Sequence, residues 1–381
     1  MHPSSSLSPL SPLSPRDADR IARHVVHGDA ARWLHPAQQA LLYRRGWLRM
    51  LAPRAAGGGE MPLPDVVRLE EALARIDGSV AWTVTLCAGA GWFTGFLPPH
   101  LARDILATPR VCLAGSGAPT GHADREGDGW RIDGDWDYAS GAPMATHFTF
   151  NAVLRDGGEV LLDADGRPRV LAFVVPARQV ETIATWRGMG LRATATDAYR
   201  VRGEWVPADH GFEIDPARAT AAGPLYRFPF LPFAYVTLAA NVGGMAAHFV
   251  ELAHAAVAQR RDRFGGGGPL IDAPGVRAQL DGARDRLAAV RARFYALLDA
   301  AWDRVAQGES VADADAGALQ DVALAWVAAG RAAVNGLYPL CGLQAAFEDS
   351  AVNRVWRDFQ TASQHALFVS CSTGQTATEP L

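Results

Sequence analysis

The spacing of apolar residues along the chain changes period twice. From Asp17 to about Ala107 it is helical: Val66, Val67, Leu69, Leu73 and Ile76 recur at three- and four-residue steps, with Pro64 before them and Gly78 as the stop. The run from Val80 to Phe96 carries Trp82, Trp92 and Phe93 and is apolar nearly all round, which predicts a buried helix. From about Thr108 to Phe212 the period falls to two. Trp130, Ile132, Trp136 and Tyr138 alternate with polar residues, and Gly127-Asp128-Gly129 and Asp133-Gly134 supply turns. Val170 to Val175 reads as a short strand closed by Pro176. Tyr199, Val201, Trp205 and Val206 read as another, with Gly203 at a bulge. From about Ala222 the helical period returns. Val276, Leu280, Leu287, Val290, Phe294, Leu297, Leu298, Trp302 and Val305 share one stripe, opposite Asp281, Arg284, Asp285 and Arg293. Leu319 to Leu340 reads as a buried, Ala-rich helix.

These zones predict an α+β multidomain protein. The division is a disordered tail over 1–15, a helical domain over 16–107, an antiparallel β-barrel or sandwich over 108–221 and a helical bundle over 222–381. The tail is expected because Ser-Pro-Leu repeats there carry no basic region and no long apolar core, unlike a secretion signal. A hydrophobic fraction of 49% against 20% charged residues is that of a globular chain. A net charge of −4, with acids and bases interspersed, leaves no electrostatic footprint for nucleic acid. No apolar run reads as long enough to cross a membrane. Cys87, Cys112, Cys341 and Cys371 lie far apart, as buried thiols of a reducing cytoplasm do. The histidines form no HxxxH or HExxH pair, so no protein-bound catalytic metal is expected.

Chemistry concentrates near the C-terminus, in Asn353-Arg354-Val355-Trp356-Arg357-Asp358 followed by Gln364-His365. Histidine exchanges a proton near neutral pH, and an Arg-Asp pair two turns earlier would fix its position. The same residues also suit a simpler role, with Arg357 and Asp358 fixing a helix end and His365 an ordinary interface residue.

Several segments decide how this motif reads. Ala74-Arg75-Ile76-Asp77-Gly78-Ser79-Val80-Ala81-Trp82 is similar to the ARxDGSxAW segment of the acyl-CoA dehydrogenase superfamily. Gly46-Trp47-Leu48-Arg49-Met50-Leu51-Ala52-Pro53 resembles that family's helix-to-loop passage. Gly129 to Gly141 resembles its β-domain signature, whose last residues lie against the isoalloxazine. Arg261-Asp262-Arg263-Phe264-Gly265 resembles its Arg-x-x-Phe-Gly, in which Arg and Phe reach a neighbouring subunit's flavin. The resemblance spans nearly the whole chain after the tail. It implies a helical domain, a β domain and a C-terminal four-helix bundle, flavin binding, and a homotetramer built through the third domain.

Two chemistries compete within that superfamily. Its dehydrogenases need a carboxylate base about eight residues after the Arg-Asp pair, or else at the entrance to the third domain. Here the first position is Ala366, and no Asp or Glu lies between Asp215 and Glu251. An apolar side chain cannot take a proton. The two-component flavin-dependent monooxygenase branch instead resembles this chain in Trp136-Asp137-Tyr138-Ala139-Ser140-Gly141 and in Arg354-Val355-Trp356-Arg357-Asp358 with His365. That likeness implies Ser140 near the flavin and His365 near the substrate, both catalytic. It implies Trp136, Tyr138, Ser140, Gly141, Arg261, Phe264, Arg357 and Asp358 as cofactor-binding residues. The cofactor implied is reduced FMN or FAD delivered by a separate flavin reductase, and the reaction is hydroxylation of a small aromatic or amine-containing substrate. A dehydrogenase-like FAD oxidoreductase and a cofactor-free scaffold are the alternatives.

Two further signals are weaker. Gly115 to Gly121 does not match GxGxxG and precedes a hairpin, so it does not predict a Rossmann loop. It could still approach a flavin through its backbone. Trp186-Arg187-Gly188-Met189-Gly190-Leu191-Arg192 reads equally as a family-type loop near the cofactor or as a plain surface loop.

Overall fold

A computed structural model describes residues 12–262 and 266–369. Six helices come first: α1 (Pro15–Ala22), α2 (Val25–Ala31), α3 (Pro36–Arg45), α4 (Leu63–Ala74), α5 (Gly78–Trp92) and α6 (Pro99–Leu106). Eight strands follow: β1 (Leu113–Glu126), β2 (Gly129–Ala139), β3 (His147–Asp156), β4 (Glu159–Val160), β5 (Val170–Pro176), β6 (Glu181–Ile183), β7 (Asp197–Pro207) and β8 (Gly211–Phe212). The last helices are α7 (Phe230–Ala258), α8 (Pro274–Ala306), α9 (Asp313–Leu337) and α10 (Ala351–Ala362).

The expected tail over 1–15 lies outside the described residues as far as residue 11. Beyond that the expectation fails. Leu13 is buried, and the Ser14 hydroxyl accepts the Asp17 N–H at 3.2 Å, satisfying one of the free donors at the start of α1. Asp77 caps α5 the same way, accepting from Ser79 and Val80 at 2.9 and 3.3 Å. Every face of α5 meets protein, which explains its all-round apolar sequence. The thiols of Cys87, Cys112 and Cys341 are free and buried, as expected; Cys371 is outside the described residues.

The β domain is one mixed sheet with the order β6-β7-β2-β1-β3-β5-β8, β4 pairing with β3. This corrects the all-antiparallel expectation, because β1 and β3 run parallel. Alternation along a strand reports which face is buried, not the direction of its neighbour. Gly115 to Gly121 sits within β1, where its register against β3 slips between Ser116 and Gly121, so it is a strand irregularity rather than a nucleotide loop. Gly203 forms the expected bulge. Between Glu204 and Val201, β7 has one residue more than β2, and Gly203 takes φ +59°. A second bulge was not foreseen. Trp136 pairs with Tyr199 but Ala139 with Asp197, so β2 carries one extra residue and Tyr138 is thrown to φ +69°. Tyr138 therefore leaves the inward series of Ile132 and Trp136, and its ring is 70% exposed.

The helical core runs through both ends of the chain, with α7 packed against α4, α9 and α10. By length and composition α7 could cross a membrane, contrary to the sequence reading, yet 78% of its apolar window is buried inside the protein. It approaches α9 closely because Gly243 faces the Trp326 ring; a Cβ there would lie 2.3 Å from it. Gly243→Ala should lower stability by about 1–3 kcal/mol, the usual cost of overpacking. Calorimetry should show a reduced Tm, and an unchanged Tm would mean that α7 and α9 are not in this contact.

Candidate active site

The β2 bulge at Tyr138 delivers Ser140. After Tyr138 the chain turns through Gly141 at φ +76°, whose N–H donates to the Thr194 carbonyl at 2.8 Å. Ser140 is buried, and its hydroxyl meets that of Thr196 at 2.9 Å. Thr196 in turn meets Thr194 at 2.7 Å, and Thr194 donates to the Leu191 carbonyl at 2.8 Å. Leu191 and Ala195 hold φ +48° and +42°, a conformation that costs a side-chain-bearing residue of order 1–3 kcal/mol and needs firm support. Support comes from within the loop: Asp197 accepts the N–H groups of Thr185 and Trp186, both at 2.9 Å, and the Trp186 indole donates to the Leu191 carbonyl at 2.9 Å. Trp186 to Arg192 is thus a braced loop beside Ser140.

The rest of the support comes from α10. Asp358 accepts the Leu191 N–H at 2.6 Å, Thr361 accepts that of Gly190 at 3.1 Å, and Arg357 donates to the Met189 carbonyl at 2.5 Å. A Cβ on Gly190 would lie 2.0 Å from the Arg357 carbonyl, so only glycine allows this approach. Arg357 and Asp358 do not pair with each other, as the motif suggested. Arg357 forms its ion pair with Asp29 of α2 at 2.9 Å and also bonds Asn353. Both residues are buried and spend their polar atoms on protein. Their role here is to hold the loop.

Beyond α10, Arg331 donates to the Ser363 and Phe368 carbonyls and fixes the segment carrying His365. His365 Nδ1 accepts the Leu367 N–H at 3.3 Å, so the ring proton sits on Nε2. Burial lowers its pKa to about 4, leaving a neutral imidazole at pH 7. Its ring meets Trp82 of α5 edge-on, with centroids 5.9 Å apart. The same helix touches the other candidate: Cys87 donates to the Ser140 carbonyl at 3.5 Å, and a Cβ on Gly141 would meet Cys87 and Thr83. One helix therefore joins Ser140 and His365, far apart in sequence.

Other expected residues lie elsewhere. Trp136 is 1% exposed in the β core, stacked on Tyr199 and donating to the Asn151 carbonyl at 3.0 Å, so it shapes the strand instead of meeting a ligand. Arg261 is exposed in an isolated bridge with Pro269 and makes no side-chain hydrogen bond or ion pair among the described residues. Phe264 is outside the described residues. Sequence reasoning missed Thr194, Thr196 and Glu70. Glu70 is a fully buried carboxyl on α4, pushed well above the usual carboxylate range by burial, and its oxygens have no hydrogen-bond partner among the described residues. A cavity of about 450 Å³, lined by Arg75, Val250, Glu251, His254, Leu287 and Trp326 among others, contains none of the expected site residues.

The groups beside Ser140 are of the kind that a heteroaromatic ring, rather than a charged ligand, takes as partners. The groups there are hydroxyls, backbone and the Cys87 thiol, and the side chains of Tyr138 and Met189 are left 70% and 47% exposed on the two flanking segments. The helix–sheet–bundle order is that of the acyl-CoA dehydrogenase-like fold. Residues 236–370 match the family model described as acyl-CoA dehydrogenase, C-terminal domain. The chain is 28% identical over 334 residues to a pigment production hydroxylase of Rhodococcus sp., covering 84% of this chain and 82% of that one. It is 27% identical over 323 residues to an indole-3-acetate monooxygenase of Pseudomonas putida, covering 84% and 80%. The solved structure of XiaF from Streptomyces sp. with FADH2 and glycerol superposes with a TM-score of 0.84 at 21% identity, covering 93% of this chain and 89% of that one. The C-terminal part of the chain is thus similar to the acyl-CoA dehydrogenase C-terminal domain, its fold is that of XiaF, and the relatives it matches are named hydroxylases and monooxygenases.

The titration of Asp358 tests the loop clamp. Burial above all pushes its carboxyl up to about 7, with Asp77 and Asp29 adding to the rise. The folded value lies above the unfolded one of about 3.9, so the folded state binds more protons across that interval. The group's contribution is full below about pH 4 and is lost as pH rises to about 7. Asp358→Asn keeps an acceptor for Leu191 and removes the titration. Relative to wild type, the variant should gain stability from pH 4 to pH 7, by at most roughly 1.4 kcal/mol per pKa unit. Paired denaturation curves with equal pH slopes would refute the shift.

Proposed function

We propose that the chain is the oxygenase component of a flavin-dependent monooxygenase that hydroxylates a small aromatic substrate, with an amine-bearing one as the second class. The observation that carries this reading is a neutral, half-buried His365 packed against the same helix, α5, that meets Ser140, at a site whose dehydrogenase base positions hold no carboxylate. The hydroxylase and monooxygenase relatives support it, and the indole-3-acetate enzyme supports an aromatic substrate.

Ser140, Gly141 and the braced loop at Leu191 would hold the flavin ring. When bound and reduced, the flavin supplies the activation of dioxygen. The protein's residues do the rest. His365 has Nδ1 committed to the Leu367 N–H, so it offers Nε2–H and starts as a hydrogen-bond donor to a substrate oxygen rather than as a base. Trp82 and Phe368 pack about that ring and shield it in part from water, which strengthens the bond. Arg357 and Asp358 keep the loop in its left-handed turn and act at a distance from the reacting atoms.

Reduced FAD is the cofactor this reading favours over FMN, on the strength of the FADH2 held by XiaF. A separate NAD(P)H-dependent flavin reductase supplies it, because no nicotinamide-binding motif is visible in the chain. Arg261, exposed and without a side-chain partner among the described residues, would reach with Phe264 toward a neighbouring subunit in a homotetramer. The free buried thiols favour a cytoplasmic setting.

His365→Ala should leave flavin binding intact and cut hydroxylation roughly a hundred- to ten-thousandfold, with hydrogen peroxide rising as product falls. The assay is aerobic turnover with a supplied flavin reductase and a panel of aromatic and amine substrates, with product mass and peroxide both recorded. Loss of stability with unchanged product per folded molecule would make His365 structural. Anaerobic bleaching of oxidised flavin by an acyl-CoA would favour the dehydrogenase reading instead.

A further inference from the structure

We propose that Thr194 and Thr196 are positioning residues that fix the direction of the Ser140 hydroxyl, so that Ser140 meets the flavin as a hydrogen-bond acceptor and the site selects the reduced ring. The inference rests on the flavin reading above and adds a reason for preferring one redox form.

A hydroxyl has one proton to donate, whereas a carbonyl can only accept. The chain Ser140–Thr196–Thr194 ends on the Leu191 carbonyl, with spacings of 2.9, 2.7 and 2.8 Å. Thr194 must therefore spend its proton on Leu191. It can then only accept from Thr196, which spends its own proton in that bond. Thr196 can in turn only accept from Ser140. The Ser140 proton thus points into the loop, and the lone pairs of its Oγ, which has no other partner among the described residues, face the site.

The terminus that sets this direction is held firmly. The Leu191 carbonyl also takes the Trp186 indole N–H at 2.9 Å, and the Leu191 N–H is held by Asp358 at 2.6 Å. All three hydroxyl-bearing residues are buried, so no bulk water can supply a competing donor and reverse the chain. A reduced flavin carries a proton on N5, and an oxidised flavin carries a lone pair on the same atom. An oxygen with only lone pairs to offer attracts the first and repels the second. An acceptor-only Ser140 therefore favours flavin that arrives reduced over the oxidised form left after turnover.

The test is the ratio of two dissociation constants, for dihydroflavin and for oxidised flavin, measured by anaerobic and aerobic fluorescence titration of the full chain. Wild type should favour the reduced form. Thr196→Val frees the Ser140 proton to turn toward N5, and should strengthen oxidised binding while weakening reduced binding. The ratio should fall roughly three- to tenfold, the scale of one net hydrogen bond. Thr194→Val should shift the ratio the same way from two hydroxyls away, because Thr196 can then turn its proton to Ser140. Thr196→Ser keeps the hydroxyl and should keep the wild-type ratio. In a Ser140→Ala background, Thr194→Val should have no further effect on the ratio. Equal losses of both affinities in the two valine variants would reduce the threonines to packing and overturn the inference. Failure of every form of flavin to bind would instead overturn the flavin reading on which it stands.

Discussion

The site depends on the grip of α10 on residues 188–191. That loop holds Leu191 in a left-handed turn that a leucine does not adopt unaided, and its carbonyl ends the hydroxyl chain from Ser140. Asp358, Thr361 and Arg357 take three successive backbone groups of the loop, from Leu191, Gly190 and Met189. Through Asp29, Arg357 extends the grip to α2, so the helices at the start of the chain, the loop before β7 and the last long helix meet at one buried cluster. Removing one partner of such a pair leaves a buried charge uncompensated, a cost of about 3–5 kcal/mol. That penalty keeps the three parts of the chain in one arrangement.

Function follows from the arrangement through α5. Asp77 caps the helix, Trp82 meets His365, and Cys87 meets the Ser140 backbone. A helix buried on every face has no freedom to rotate, so it fixes the spacing of two groups that the chain separates by more than half its length. A polar hydroxyl on one side and a neutral imidazole on the other, without a carboxylate at the dehydrogenase positions, suit oxygen insertion better than abstraction of a carbon-bound proton.

Much of this could be read in the sequence, and the parts that could not have physical causes. The helices over 63–74 and 274–306 and the β2 and β7 strands followed from periodicity, because burial of one face imposes it. Ser140, Gly141 and His365 stand out through motif likeness. The Tyr138 bulge was invisible, since nothing in the alternation of residues 130–138 marks the extra residue that turns Tyr138 outward and leaves Trp136 in the core. The Arg357 ion pair was assigned to its neighbour Asp358, whereas the partner is Asp29, at the other end of the chain. Local spacing carries no record of so distant a contact. Thr194 and Thr196 belong to no motif in the sequence; only the carbonyl at the end of their chain gives them a direction.

Oxygen transfer is the chemistry proposed for this site. The most direct measurement is isotopic: turnover under labelled dioxygen with reduced flavin supplied, followed by mass analysis of the aromatic product. One labelled oxygen atom in each product molecule, dependent on reduced flavin, is the predicted result. Product formed without oxygen, or carrying oxygen from water alone, would contradict it.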